Sequence, residues 1–149
     1  MTERWTQWKP ISNLTSKYCR EFIVDSVDEF QVILSEYYNV ERKIRVKFKH
    51  LVESYRSINE SYIIKLIEDL DKKYGTKFYS EWAFFEVKNS DYLKGLSEKS
   101  YTISDTRNFR HFVILTFDEI LDIISLNEPE IEFINEIELA QLNNYIKNS

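Results

Sequence analysis

Cysteine occurs once in these 149 residues, and glycine, proline and histidine twice each. Each shortage removes a class of answer. A single thiol, Cys19, cannot close an internal disulfide, and one cysteine with two histidines makes a poor set for a structural zinc site. Gly75 and Gly95 alone cannot build a phosphate-cradling glycine loop. No Gly-x-Ser-x-Gly elbow or His-Glu-x-x-His pair is present. No apolar run approaches the roughly 20 residues of a membrane span, and the opening MTERWTQWKP is too polar for a secretion signal. A reduced, cytoplasmic protein with no membrane contact, no metal and no cofactor is the expectation.

What the chain does contain is apolar and aromatic material, 43% and 15% of its residues. That suits one globular domain over residues 1–149, large enough to bury roughly 70% of the surface it exposes when unfolded. The net charge of −5 is unevenly spread. Residues 1–116 hold 19 Lys and Arg against 17 Asp and Glu, whereas residues 117–149 hold one lysine against eight acids. An acidic segment on a near-neutral body repels nucleic acid and favours basic partners. The plainer reading is a solvated face that maintains solubility.

The patterning predicts an α+β fold, a largely antiparallel sheet with a main helix near residues 58–74, a short helix near 90–97 and a C-terminal helix. Residues 19–27 and 29–36 read as strands, 37–41 as a turn, and RKIRVKFK (42–49) shows the clearest alternation. There Ile44, Val46 and Phe48 point one way and Lys43, Arg45, Lys47 and Lys49 the other. A further strand over 51–57 leads to a capping box of Ser57 and Glu60, with Asn59 as the alternative cap. The helix that follows places Ile63, Ile64, Ile67, Leu70 and Tyr74 on one stripe and stops at Gly75. FYSEWAFFEVK (78–88) reads as one central strand, apolar on both faces. Asn89 or Ser90 caps the short helix, which carries Tyr92, Leu93 and Leu96 inward, and 100–108 is a polar loop. RHFVILT (110–116) is a strand. Residues 117–125 fit either a hairpin strand or a helix capped by Thr116, the hairpin being preferred. Residues 127–130 form a break, and Ile134, Ile137, Leu142 and Ile146 mark the final helix.

Four constellations carry candidate chemistry. His111 stands near Ser104, Asp105, Arg107 and Arg110, a set able in principle to cleave phosphodiesters; an interior-facing or strand-edge histidine in a polar loop is the preferred alternative. Asp118, Glu119 and Asp122 offer carboxylates to a divalent cation, but lack the converging oxygens and the glycine bend such loops use. The basic strand 42–49 offers five cations in eight residues to phosphates, with Tyr37 and Tyr38 nearby for stacking. Its plainer role is a charged sheet face that resists aggregation. Trp5 and Trp8 are either interface anchors or, as preferred, residues that close the core beneath the N-terminus.

Three stretches carry a family resemblance: VKFKHLVESYRSINESYIIKL (46–66), WAFFEVKNSDYLKGLSEKSY (82–101) and RHFVILTFDEILDIISLNEPEIEF (110–133). Together they resemble immunity (antitoxin) proteins encoded beside secreted LXG/WXG-type toxins of Gram-positive bacteria. The family often has an aromatic where Gly95 stands, so any contact made by that side chain is lost here. The resemblance implies a non-enzymatic protein that neutralises a cognate toxin, commonly a nuclease, through the toxin's basic C-terminal domain. The acids assigned to that contact are Asp118, Glu119, Asp122, Glu128 and Glu130. The alternative function is a nucleic-acid-binding or regulatory module that uses strand 42–49.

Overall fold

The computed structural model describes residues 3–49, 52–99 and 108–147. In chain order the strands are β1 (Arg4–Gln7), β2 (Tyr18–Asp25), β3 (Phe30–Glu36), β4 (Asn39–Phe48) and β5 (Val52–Asn59), then β6 (Phe84–Lys88), β7 (Arg110–Leu115), β8 (Glu119–Ser125) and β9 (Glu130–Ile134). The helices are α1 (Ile64–Tyr74), α2 (Phe78–Glu81), α3 (Asp91–Lys99) and α4 (Glu136–Lys147). The strands form two antiparallel sheets, ordered β1-β6-β7-β8-β5 and β2-β3-β4-β9. The fold is α+β, with two sheets where the patterning suggested one.

Period-two alternation decides how the sheets meet. Val32, Leu34, Ile44, Val46 and Phe48 of the second sheet pack against Phe84, Phe112, Ile114, Leu121 and Ile123 of the first. Burying each such side chain contributes roughly 1.5–3 kcal/mol, so this inter-sheet layer is the main source of stability. The other face of the first sheet is also apolar. Phe85, Val87, Val113, Leu115 and Ile120 are covered there by Leu70, Ile63, Leu66 and Tyr74 of the α1 region and by Phe78 of α2. On the far side of the second sheet α4 pairs its Glu138 with Arg45, and its Leu142 borders a cleft with Val24 and Gln31. The layers therefore run helix, sheet, sheet, helix. No helix among the described residues is long and apolar enough to cross a membrane.

Several expectations hold in detail. Ile44, Val46 and Phe48 are fully buried, and β6 lies between β1 and β7 with apolar groups on both faces. Trp5 is buried and Trp8 packs against Phe84 and Phe112, so both tryptophans serve the core. Residues 119–125 form a strand, not a helix. Ser26 and Glu29 close the β2–β3 turn, and Tyr37 and Tyr38 form the tip of the β3–β4 hairpin.

Other expectations need correction. The main helix does not begin near residue 58. Strand β5 continues to Asn59, a single 3-10 turn spans Glu60–Tyr62, and α1 starts at Ile64. Asn59 caps the 3-10 turn by accepting from the amide of Ser61 at 2.9 Å. Ser57 does not cap; its hydroxyl donates to Glu119 across the strand pair. Ile64 is exposed, and Leu66 takes the packing place assigned to it. Residues 78–81 form a helical turn that lays Phe78 and Tyr79 on the sheet, so only 84–88 is strand. Strand β9 occupies part of what reads as a break and a helix start. Most of the 100–108 loop, with Ser104, Asp105 and Arg107, lies outside the described residues.

Candidate functional site

Three neighbouring elements place polar side chains beneath α3. Strand β7 points His111 toward the helix side of the first sheet, the face that also carries Val113 and Leu115. Its hairpin partner β8 points Asp122 the same way, and Arg56 of β5 sits opposite Asp122. Asn89 adopts a positive φ of 57°, a conformation asparagine tolerates better than most residues, which turns the chain so that Ser90 caps α3.

These groups form a continuous hydrogen-bonded line. Ser90 Oγ is 2.7 Å from His111 Nδ1, and His111 Nε2 is 2.7 Å from Asp122 Oδ1. Arg56 Nε donates to Asp122 Oδ2 at 2.9 Å. Its guanidinium lies 4.0 Å from the Tyr92 ring centroid, and that ring meets the imidazole edge-on at 5.7 Å. Burial by itself would raise the Asp122 carboxyl; the bonds from His111 and Arg56 outweigh it and hold the group below its ordinary value. An ionised Asp122 accepts from Nε2; on a neutral imidazole Nδ1 then accepts the Ser90 hydroxyl proton.

Serine, histidine and aspartate in line are the composition of a nucleophilic triad, and the geometry bears on that possibility. The serine lies at Nδ1 and the carboxylate at Nε2, the reverse of the familiar protease arrangement. Ser90 is only 3% exposed, and its oxygen already accepts from the Leu93 amide at 3.0 Å. One of its two lone pairs is thus engaged in capping. The arrangement fastens α3 to the sheet. A cleft of about 500 Å³ opens beside it, lined by Glu86, Val87, Leu93, Lys94, Arg110 and His111 among others. Arg110 is gripped there by Glu86 through two hydrogen bonds of 2.7 and 2.9 Å, which hold the Glu86 carboxyl below the usual range.

The five acids assigned to partner contact do not share one surface. Asp118 is exposed in the β7–β8 turn, and Glu119 begins β8 beside it. Glu119 is 7% exposed, with Oε1 2.8 Å from Arg20 Nε, a close ion pair whose angles do not suit a hydrogen bond. Asp122 lies in mid-strand under α3. Glu128 and Glu130 are at the opposite end of the sheets, near where β7 begins and β4 finishes. Glu128 accepts from Trp8 Nε1 at 2.7 Å, and Glu130 pairs with Lys49 at 2.8 Å.

The basic strand is likewise committed. Arg42 pairs with Glu36, Lys43 with Glu21, Arg45 with Glu132 and Glu138, Lys47 with Glu29 and Lys49 with Glu130. Carboxylates from β2, the β2–β3 turn, β3, β9 and α4 therefore balance all five cations of the stripe.

Exposed aromatics gather at the end that holds Asp118. Tyr37, from the β3–β4 tip, stacks on Phe117, from the β7–β8 turn, with centroids 4.7 Å apart and planes 18° from parallel. Tyr38 meets Tyr37 edge-on at 4.9 Å. Tyr38 is 79% exposed and Phe117 58%. The Phe117 amide donates to Tyr18 O and the Glu60 amide to Asp118 O, tying β2 and the 3-10 turn to this end. Between Arg20, Ser57, Asn59, Asp118 and Glu119 lies a polar cleft of about 210 Å³.

Sequence reading grouped Asp118 and Glu119 with three acids that lie elsewhere, and it offered Tyr37 and Tyr38 to bases without joining them to Phe117. The signal was two hairpin tips, Tyr37–Tyr38 and Phe117–Asp118, each putting an aromatic residue where a turn is usually polar. Among the described residues no group of three or more His, Cys, Asp and Glu side chains is placed to hold a metal ion. Compared with protein families, curated proteins and solved structures, the chain matches none.

Proposed function

We propose that this chain is an immunity protein that binds a cognate secreted toxin, a nuclease, and covers the toxin's active-site cleft. The observation that carries this reading is how the side chains are committed. His111, Ser90 and Asp122 are used up on one another and on α3, while large aromatic side chains stand exposed together beside Asp118. A monomer has no use for such a group in its own core, and exposed patches of this kind mark interaction sites.

The physical route is inhibition by occlusion. A nuclease must gather phosphates and so presents a basic cleft. An acidic protein, here of net charge −5, is drawn to that cleft from a distance and arrives quickly. Aromatic anchors then supply the slow dissociation, since a few desolvated residues dominate such interfaces.

The test is to express the chain together with the toxin encoded next to it. Rescue of growth and co-elution of the purified pair are the expected results. Continued toxicity and separate elution would sink the reading, as would turnover of any substrate by the purified chain alone.

A further inference from the structure

Building on the partner-binding reading, we infer that the end of the sandwich bearing Tyr37, Tyr38 and Phe117 is the docking surface. The adjoining cleft between Arg20, Asp118 and Glu119 receives a lysine or arginine side chain of a basic protein.

Two sheets contribute to this end, and the contact between their tips is aromatic. The Tyr37–Phe117 stack fixes the ring planes, so the exposed faces of Phe117 and Tyr38 form a pre-arranged platform. Rigid aromatic area of this kind loses little entropy on binding, the property that makes tyrosine common among interface anchors.

The cleft beside the platform selects for positive charge. Its volume of about 210 Å³ accommodates an ammonium or guanidinium head. Glu119 reaches it from a nearly buried position, 7% exposed, and its Oε1 touches Arg20 without receiving an aligned hydrogen bond. That oxygen is itself covered, so the carboxylate an entering donor meets is Asp118, which stands exposed at the cleft. The other Glu119 oxygen is held by the Ser57 hydroxyl, which fixes the carboxylate's direction. The charged residues lining the cleft are two acids, Asp118 and Glu119, and one cation, Arg20, which leaves one negative charge. One incoming cation balances the site. At the far end Glu128 and Glu130 already have cationic neighbours in Arg110 and Lys49 and offer less to a basic partner.

The experiment uses the full chain and the toxin encoded beside it. Titration of wild type establishes the complex. Phe117→Ala and Asp118→Lys are then compared with Glu128→Lys and Glu130→Lys, all four checked for unchanged circular dichroism. The expected outcome is about a 100-fold weaker Kd for each of the first two, the hot-spot range. Asp118→Lys should also slow association and flatten its salt dependence. The far-end variants should bind within about twofold of wild type, since exposed paired charges contribute little. Wild-type binding lost in the far-end variants and retained in the first two would overturn the docking surface while leaving the immunity function standing. If wild type itself binds no toxin, the function fails and this inference with it.

Hydrogen exchange on the wild-type complex gives an answer that needs no variant. Protection at residues 37–39 and 116–120 supports the site, and protection confined to other segments overturns it. Elution of the chain alone as a dimer that Phe117→Ala converts to monomer would assign the surface to self-association and also overturn it.

Discussion

His111 and Asp122 meet across the β7–β8 hairpin, Nε2 to Oδ1 at 2.7 Å, with neither residue more than 4% exposed. Removing the carboxylate charge leaves Arg56 and the histidine facing a weaker acceptor in a buried place. Asp122→Asn should destabilise the protein by roughly 2–3 kcal/mol, read from urea unfolding midpoints.

Ser90→Ala removes both the cap of α3 and the hydrogen-bond partner of His111 Nδ1. The cap alone is worth about 1 kcal/mol. The loss should be local, so amide exchange within α3 should accelerate while β3 and β4 keep their protection.

Acid should destabilise the fold through the same groups. The Asp122 and Glu86 carboxyls both lie below their ordinary values, Asp122 despite its burial and Glu86 through the Arg110 clamp. The unfolded chain then binds more protons than the folded one, so stability rises with pH through their titration range. Their contribution is complete above the ordinary carboxylate values of about 4 and is lost as pH falls through the lower folded values. Unfolding midpoints measured from pH 7 down to pH 2 should decline below about pH 4, less steeply in Glu86→Gln.

The two glycines should respond in opposite directions to alanine. Gly75 ends α1 with φ at 123° and ψ at 151°, a conformation closed to L side chains, although a Cβ there would touch nothing within 4 Å. Gly75→Ala should therefore cost about 1–3 kcal/mol in backbone strain alone. Gly95 lies within α3 with equally open surroundings. Gly95→Ala should stabilise by about 0.5–1 kcal/mol, so the two melting temperatures should move apart.

Where one periodicity governed a segment, the sequence was readable. Strand β4 alternates cleanly because one face meets the core and the other meets carboxylates. The hairpin at 116–119 follows from the short spacing between two apolar runs. Where tertiary contacts overrode local preference, reading failed. Ser57 has the spacing of a capping residue, but β8 supplied Glu119 as a partner and β5 ran on to Asn59. Phe78 and Tyr79 look like strand residues, yet they close a helical turn because Phe85 and Leu70 offer them a surface to cover. Strand β9 was hidden by its own acids, and only Ile131 of its five residues is buried. The His111–Asp122 contact was recoverable in principle. The preferred hairpin register puts His111 opposite Ile124 and on the face shared with Asp122.

The last helix is held lightly. None of the side chains of α4 is fully buried; Ile137 is exposed, Tyr145 and Ile146 border an open cleft with Val24, and Glu138 holds Arg45 at 3.3 Å. Heating should consequently peel this helix before the sandwich melts. A protease that clips the freed segment would yield a shorter chain whose strands still unfold together, giving the protein two thermal events in place of one.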